Sequence, residues 1–302
     1  MRKCLSGVIS ASGKTQFALQ LSLKVQLPIE KGGLLGSTCY LTTNGILPTS
    51  RLFEMAQENE VVIPGSCVLE NIHTRSMSCV PELRHILSQG VPNLMQHLSD
   101  GPSHPLRLLV LDSISALFHT STKTTSKTLF ERSRELADVA LMLHHLASMY
   151  HLAIVVINEV NSVFERVHSS SSNLPQHPGL DQVLYSEQSR WFSRSDSLPC
   201  EGFKEAGLGL VWASQVGVRV LMTRTGRRRY LLNPGNHTKR QRYSGVDPGT
   251  DVREPEKDSK AILIRRLSVI FSCFSQPDSI DFIILRSGIT SVGEKLSALM
   301  VE

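Results

Sequence analysis

The stretch ISASGKTQFALQL, Ile9 to Leu21, decides how this chain is read. A phosphate-binding loop has the form G-x-x-x-x-G-K-[ST] and sits between a strand and a helix. Its glycines let the backbone curl so that successive N–H groups face the phosphates. The lysine meets the outer phosphates and the hydroxyl holds Mg²⁺. Gly13, Lys14 and Thr15 supply the end of that pattern, and Ser10, Ala11 and Ser12 keep the loop small. Val8 stands where the first glycine belongs, with Gly7 one residue early.

The flanks suit the loop. Leu5 to Ile9 is expected to form one short strand. Phe17, Ala18, Leu21 and Val25 would share one face of a helix, with Leu19 and Leu23 on another, so that helix is expected to be largely buried. The alternation Phe17, Leu19, Leu21, Leu23 also fits a strand, but Gln16, Ala18, Leu19 and Gln20 favour helix.

A second motif supports the first. Leu106 to Asp112 reads LRLLVLD, an apolar run that ends in an acid and is followed by Ser113. Buried parallel strands look like this. Open α/β sheets place ligands at the carboxyl ends of such strands, so Asp112 is the natural partner for the Mg²⁺ of a bound nucleotide. The plainer reading is a strand followed by an Asp-Ser helix cap.

The rest of the chain alternates strand and helix. Strands are expected at Thr38–Thr42, Cys67–Ile72 and Leu152–Asn158, and helices at Leu47–Gln57, Pro81–Leu98 and Leu129–Met149. His119–Lys127 and the Ser-rich Val160–Ala206, which contains Tyr185, Trp191 and Phe192, interrupt this order after core strands. Long insertions of that kind are functional or disordered. Val216–Thr223 reads as an antiparallel strand, Arg224–Arg229 as a basic turn and Tyr230–Leu232 as its return strand. Leu267–Phe271 and Ile280–Leu285 read as a final hairpin. The expected fold is α/β, a mostly parallel sheet flanked by helices with antiparallel strands at the C-terminal end, in one mixed sheet and one domain over residues 1–302.

Composition sets the outer bounds. The 302 residues are 41% hydrophobic and contain no apolar run of membrane-spanning length. The six cysteines, Cys4, Cys39, Cys67, Cys79, Cys200 and Cys273, show no zinc-site spacing and read as reduced thiols. The net charge is +5, but Ala206 to Val246 holds no acid and carries Arg219, Arg224, Arg227, Arg228, Arg229, Lys239, Arg240 and Arg242. Such a run suits a polyanion, and equally a solvated loop or a nuclear-import patch.

The order GKTQ, YLTTNGILPTSRL, LLVLDS, IVVIN, GLGLVWA and RRLSVIFS…FIILRSGI resembles the RecA-type recombinase superfamily. More narrowly, it resembles the eukaryotic recombinase paralogues of the X-ray repair cross-complementing type, in a plant-like form. ALQLSLKVQLPIEKGGLLGS and LGLVWA carry most of that likeness, which runs from Ile9 to Val292. The resemblance implies a RecA-like P-loop ATPase core, ATP and Mg²⁺ as cofactors, and homologous recombination repair in the nucleus. It implies another recombinase paralogue, the recombinase filament and single-stranded or junction DNA as partners. The segments after Asp112 and Asn158 would match the superfamily's two DNA-facing loops. The family's N-terminal helical domain is not matched, and Met1 is open to being an alternative start.

By the same resemblance, the nucleotide would be held by Ser10, Ala11, Ser12, Gly13, Lys14, Thr15, Gln16, Arg51 and Asn158. Thr15 and Asp112 would serve the metal, and Arg51 would lie beside the adenine. Asn44 stands where the superfamily has the glutamate that orients the attacking water, and Glu159 follows Asn158 where glutamine is usual. An amide positions water but is a poor base, and general-base help is worth ~10²–10⁴-fold, so weak hydrolysis is expected. Asn44-Gly45 is also a favoured turn dipeptide. Tyr185 and Trp191 would stack on bases or pack within their loop. Three further functions stay open: an active DNA-dependent ATPase with strand exchange, a small-molecule phosphotransferase, and a degenerate scaffold that binds no nucleotide.

Overall fold

The computed structural model describes residues 12–59, 68–100, 104–118, 126–158, 160–162, 204–206, 208–231 and 260–293. The expected strand at Leu5–Ile9, loop residues Val8, Ser10 and Ala11, and Glu159, Tyr185, Trp191 and Phe192 lie outside them.

The first half is a parallel α/β unit. Helix α1 (Lys14–Lys24) leads to β1 (Ser37–Thr42), α2 (Thr49–Glu58) and β2 (Ile72–Ser76). Then follow α3 (Val80–His85), a π turn at Ile86–Gly90, α4 (Val91–Ser99) and β3 (Leu106–Asp112). One turn of helix, α5 (Ile114–Leu117), and the long α6 (Ser126–Tyr150) precede β4 (Ala153–Ile157). These four strands form a parallel sheet in the order β2-β1-β3-β4.

The apolar runs follow from burial on both faces. Cys39, Leu41, Leu109 and Leu111 pack against Leu83, Leu87, Val139 and Leu143 of the helices on one side. Tyr40, Leu108 and Val110 pack against Ala18, Leu19, Leu52 and Met55 on the other. A strand covered on both sides has no polar face to show water, so its alternation disappears.

From β1 the chain runs outward to β2, then returns past β1 to form β3 on the opposite side. The order of strand addition therefore reverses between β1 and β3, where Thr42 is the register partner of Asp112. In open parallel sheets, ligands bind beyond the strand ends at such a switch point.

The second half is antiparallel. Short strands β5 (Val160–Ser162) and β6 (Lys204–Ala206) pair with each other, so the two ends of the long polar insertion meet. Helix α7 (Gly209–Ala213) follows, with Leu208 and Trp212 buried in the core on the α6 side. Strands β7 (Val218–Leu231), β8 (Lys260–Ser272), β9 (Ser279–Leu285) and β10 (Gly288–Ser291) then form a sheet in the order β10-β9-β8-β7.

Four expectations change. The strand expected at Cys67–Ile72 begins only at Ile72, because residues 68–71 turn and β2 is a mostly polar edge strand whose sequence IHTRS carries little apolar signal. Arg224–Arg229 is not a turn. Strand β7 continues through it, with a bulge between Arg224 and Arg228 that places Gly226 at φ 72°. There the Thr225 hydroxyl donates to the Ile264 carbonyl at 2.7 Å, so turn-forming residues make an irregularity within the ladder. The return strand is therefore β8, not Tyr230–Leu232. Finally, the described strands form separate parallel and antiparallel sheets rather than one mixed sheet. Side-chain contacts from α1 and α2 link the two.

Candidate nucleotide site

Helix α1 opens directly at Lys14. Its N-terminal flank, Gly13, sits at φ 103°, and no side chain among the described residues caps the helix. The first N–H groups of a helix have no intrahelical partners, so they suit an anion. Gly13 is tightly enclosed. A Cβ there would lie 3.0 Å from Ile284 Cδ1 and 3.5 Å from Phe282 Cε2, so β9 closes over the loop. Ser12 is buried, and the Lys14 ammonium lies 3.4 Å from its hydroxyl oxygen.

Thr15 is brought to Asp112 at the switch point. Its hydroxyl donates to Asp112 Oδ2 at 2.9 Å. The Tyr40 hydroxyl donates to the same oxygen at 2.8 Å. Tyr40 is 1% exposed and Asp112 is 6% exposed, so the bond between them is shielded from water. Burial first, and then the Asp112 charge, hold the Tyr40 hydroxyl well above its ordinary pKa of 10.0, so it stays protonated as a donor.

Thr43 ties the two strand ends together. Its N–H donates to the Asp112 carbonyl at 2.8 Å, and the Ser113 N–H donates to its hydroxyl at 3.0 Å. The Asp112–Ser113 peptide is cis. Ser113 makes no side-chain cap bond to α5, so the Asp-Ser pair shapes the strand end rather than starting a capped helix.

Asn44 follows Thr43 and is exposed. Its N–H donates to Thr42 Oγ1 at 3.2 Å, and Gly45 adopts φ 83°. Asn158 comes one residue after β4, whose last residue, Ile157, pairs with Asp112. The Asn158 Oδ1 atom is buried and accepts no hydrogen bond from the described residues. An orphaned buried acceptor costs free energy unless a ligand or water meets it.

Arg51, which the resemblance places beside the adenine, lies between α1, Glu54 and the β9–β10 turn. Its Nε donates to Gln16 Oε1 at 2.9 Å, and its other nitrogens donate to the carbonyls of Leu285 at 2.6 Å and Arg286 at 2.9 Å. It also pairs with Glu54. Nearby, the Gln20 amide acts as a strand neighbour to β10. It donates to the Ile289 carbonyl at 3.1 Å and accepts from the Ile289 N–H at 2.6 Å. The β9–β10 turn is thus fastened to the helix that carries Lys14 and Thr15.

The basic segment lies along β7. Arg224, Arg227 and Arg228 are exposed, and Arg224 lies directly opposite Arg265. Burial, and then the Arg224 charge, lower the Arg265 pKa. Arg266 and Arg227 pair with Asp281. Those bonds, Arg266's above all, hold the Asp281 carboxyl below its ordinary value.

Sequence reasoning missed Tyr40, Thr43 and Gln20 as parts of this arrangement. Tyr40 and Thr43 lie in the quoted YLTTN stretch, and a tyrosine within a fully buried strand needs a partner for its hydroxyl.

The family model described as Rad51 matches residues 7–184. A DNA repair protein XRCC3 homologue from Arabidopsis thaliana is 30% identical over 290 residues, covering 94% of this chain and 84% of its own. The DNA repair protein rhp57 from Schizosaccharomyces pombe is 28% identical over 264 residues, 81% of this chain and 68% of its own. The DNA repair protein XRCC3 of Mus musculus is 29% identical over 224 residues, 72% of this chain and 55% of its own.

Proposed function

The chain belongs to the Rad51 family, as a recombinase paralogue of the XRCC3 type, and on that premise we propose that it is an ATP-binding subunit of homologous recombination repair. It would act in the nucleus within a complex with another recombinase paralogue, and bind DNA with weak hydrolysis.

The observation that carries this reading is the meeting of Thr15 with Asp112 at the switch point. Three further features fit a nucleotide. Gly13 holds the left-handed turn where no side chain is accommodated. The α1 N-terminus carries no side-chain cap among the described residues. Asn158 presents a buried acceptor without a partner among the described residues, which suits a donor on the ligand side or a bridging water. Lys14 would bind the outer phosphates, and Thr15 and Asp112 would hold Mg²⁺, directly and through its waters. Bound Mg²⁺ would supply charge neutralisation between those phosphates. Arg51 and Gln16 would shape the wall of the site as a pair rather than as separate contacts, because Arg51 is engaged by Gln16 and the β9–β10 turn.

Slow hydrolysis follows from Asn44. An exposed amide in a turn can hold a water but cannot take its proton. Nucleotide would then act as a switch. Because β9 and β10 are tied to α1 and α2, occupancy of the loop would be felt in the sheet that carries the basic strand β7.

The test is binding of a labelled single-stranded oligonucleotide with and without ATP and Mg²⁺. DNA affinity that rises with ATP and loses that rise in Lys14→Ala supports the switch. DNA affinity indifferent to both overturns it. Active strand exchange remains the second reading, favoured only if DNA-stimulated turnover in the unaltered chain matches that of Asn44→Glu.

A further inference from the structure

We propose that Tyr40 is a positioning residue for the metal, acting through Asp112. The inference rests on the nucleotide reading above and deepens it by assigning a role to a residue that the sequence reading left without one.

The argument begins with the sheet. Tyr40 is the register partner of Val110, two residues before Asp112 on β3. Side chains two apart on a strand share a face, and diagonal neighbours across a pair lie within reach of a long side chain. The tyrosine ring therefore extends along β3 and brings its hydroxyl to Asp112 Oδ2 at 2.8 Å. Thr15 reaches that same oxygen from α1 at 2.9 Å.

Two hydroxyls on one oxygen fix the carboxylate. An aspartate rotates about its last bond, and that bond has a broad, soft profile. Donors from two different elements remove the freedom. Their hydrogen bonds to a charged acceptor are of the strong kind. The carboxylate is thus oriented before any ligand arrives, and metal sites depend on such outer contacts for affinity. Thr15 is the exposed donor of the two, so its bond to the carboxylate is the more open to water. Tyr40, at 1% exposure, is the immobile member. A tyrosine buried only for packing would be served as well by phenylalanine, which carries no hydroxyl to satisfy.

The test compares the chain with Tyr40→Phe, using a fluorescent ATP analogue titrated in Mg²⁺ and again in excess EDTA. The readout is the ratio of the two affinities, which isolates the metal's contribution from packing around the base and sugar. The expected result is a fall of about 10-fold in that ratio, the scale seen when outer contacts of a metal site are removed. Asp112→Asn should lower it as well, and the double variant should fall no further than Asp112→Asn alone, because the effect passes through that carboxylate. If Tyr40→Phe does not fold, 4-aminophenylalanine at position 40 retains a donor and should give the unaltered ratio, and a lowered ratio there would overturn the assignment. An unchanged ratio in folded Tyr40→Phe overturns the role of Tyr40 while leaving the nucleotide reading intact. No Mg²⁺-dependent binding in the unaltered chain overturns both.

Discussion

The Thr15 hydroxyl donates to Asp112 Oδ2 at 2.9 Å, between residues 97 apart in sequence. One belongs to the glycine-lysine-threonine motif at the start of α1. The other ends the central strand β3. Their meeting turns two separate motifs into a single site. Asp112→Asn keeps the shape but removes the charge, leaving one carbonyl oxygen to accept and an NH2 group that cannot serve a cation. Nucleotide affinity in Mg²⁺ is expected to fall by ~10–100-fold, with a smaller change in EDTA. Isothermal titration in both conditions checks this.

Gly13→Ala should be more damaging than a methyl group suggests. The φ of 103° is strained for any side chain, and Ile284 Cδ1 would lie 3.0 Å from the new Cβ. Such a backbone costs ~1–3 kcal/mol. The expected outcome is a lower melting temperature together with lost nucleotide binding. A variant of full stability would show that the loop relaxes to a right-handed conformation.

Arg51 and Gln20 should control the β9–β10 turn. Replacing Arg51 with methionine removes two bonds to backbone carbonyls and the bond to Gln16. Replacing Gln20 with leucine removes both bonds to Ile289. Bonds that involve a charged group are worth ~1.5–3 kcal/mol each, discounted here for the partial exposure of Arg51. Faster amide exchange at Ile289 is expected in both variants, with β1 and β3 unaffected.

Much of this arrangement was legible in the sequence. The parallel half was readable because strands buried on both faces are continuous apolar runs, as LRLLVLD is, and because α6 keeps helical periodicity through Leu136, Val139 and Leu143. Strand β2 was misplaced because edge strands such as IHTRS bury little and follow no pattern. The β7 bulge was mistaken for a turn because Thr-Gly at 225 and 226 serves either purpose. Arg51 and Gln20 bond partners more than 200 residues away, a relationship that no local spacing encodes.

Stability should fall as the solution is acidified through the histidine range. Burial first, and then the neighbouring His97, hold His73 below its ordinary value of 6.5. Its Nε2 is buried without a partner among the described residues. The folded chain keeps this ring neutral while the unfolded chain takes up a proton, so the unfolded state binds more protons below that value. The stability contributed by the neutral ring is complete above the unfolded pKa. It is lost progressively as the pH falls from there to the folded pKa. His73→Gln should flatten that part of the profile, as measured by urea unfolding at about pH 7.5 and about pH 5.

The most direct test of the account is a titration of the fluorescent ATP analogue with Mg²⁺ into the purified chain and into Lys14→Ala, with circular dichroism to establish that both are folded. The account predicts saturable binding to the unaltered chain and its loss in Lys14→Ala, whose missing ammonium would have met the outer phosphates. No binding by a folded, unaltered chain would contradict it, and so would equal binding by the two proteins. Either result would leave the Thr15–Asp112 contact as a structural bond between α1 and β3.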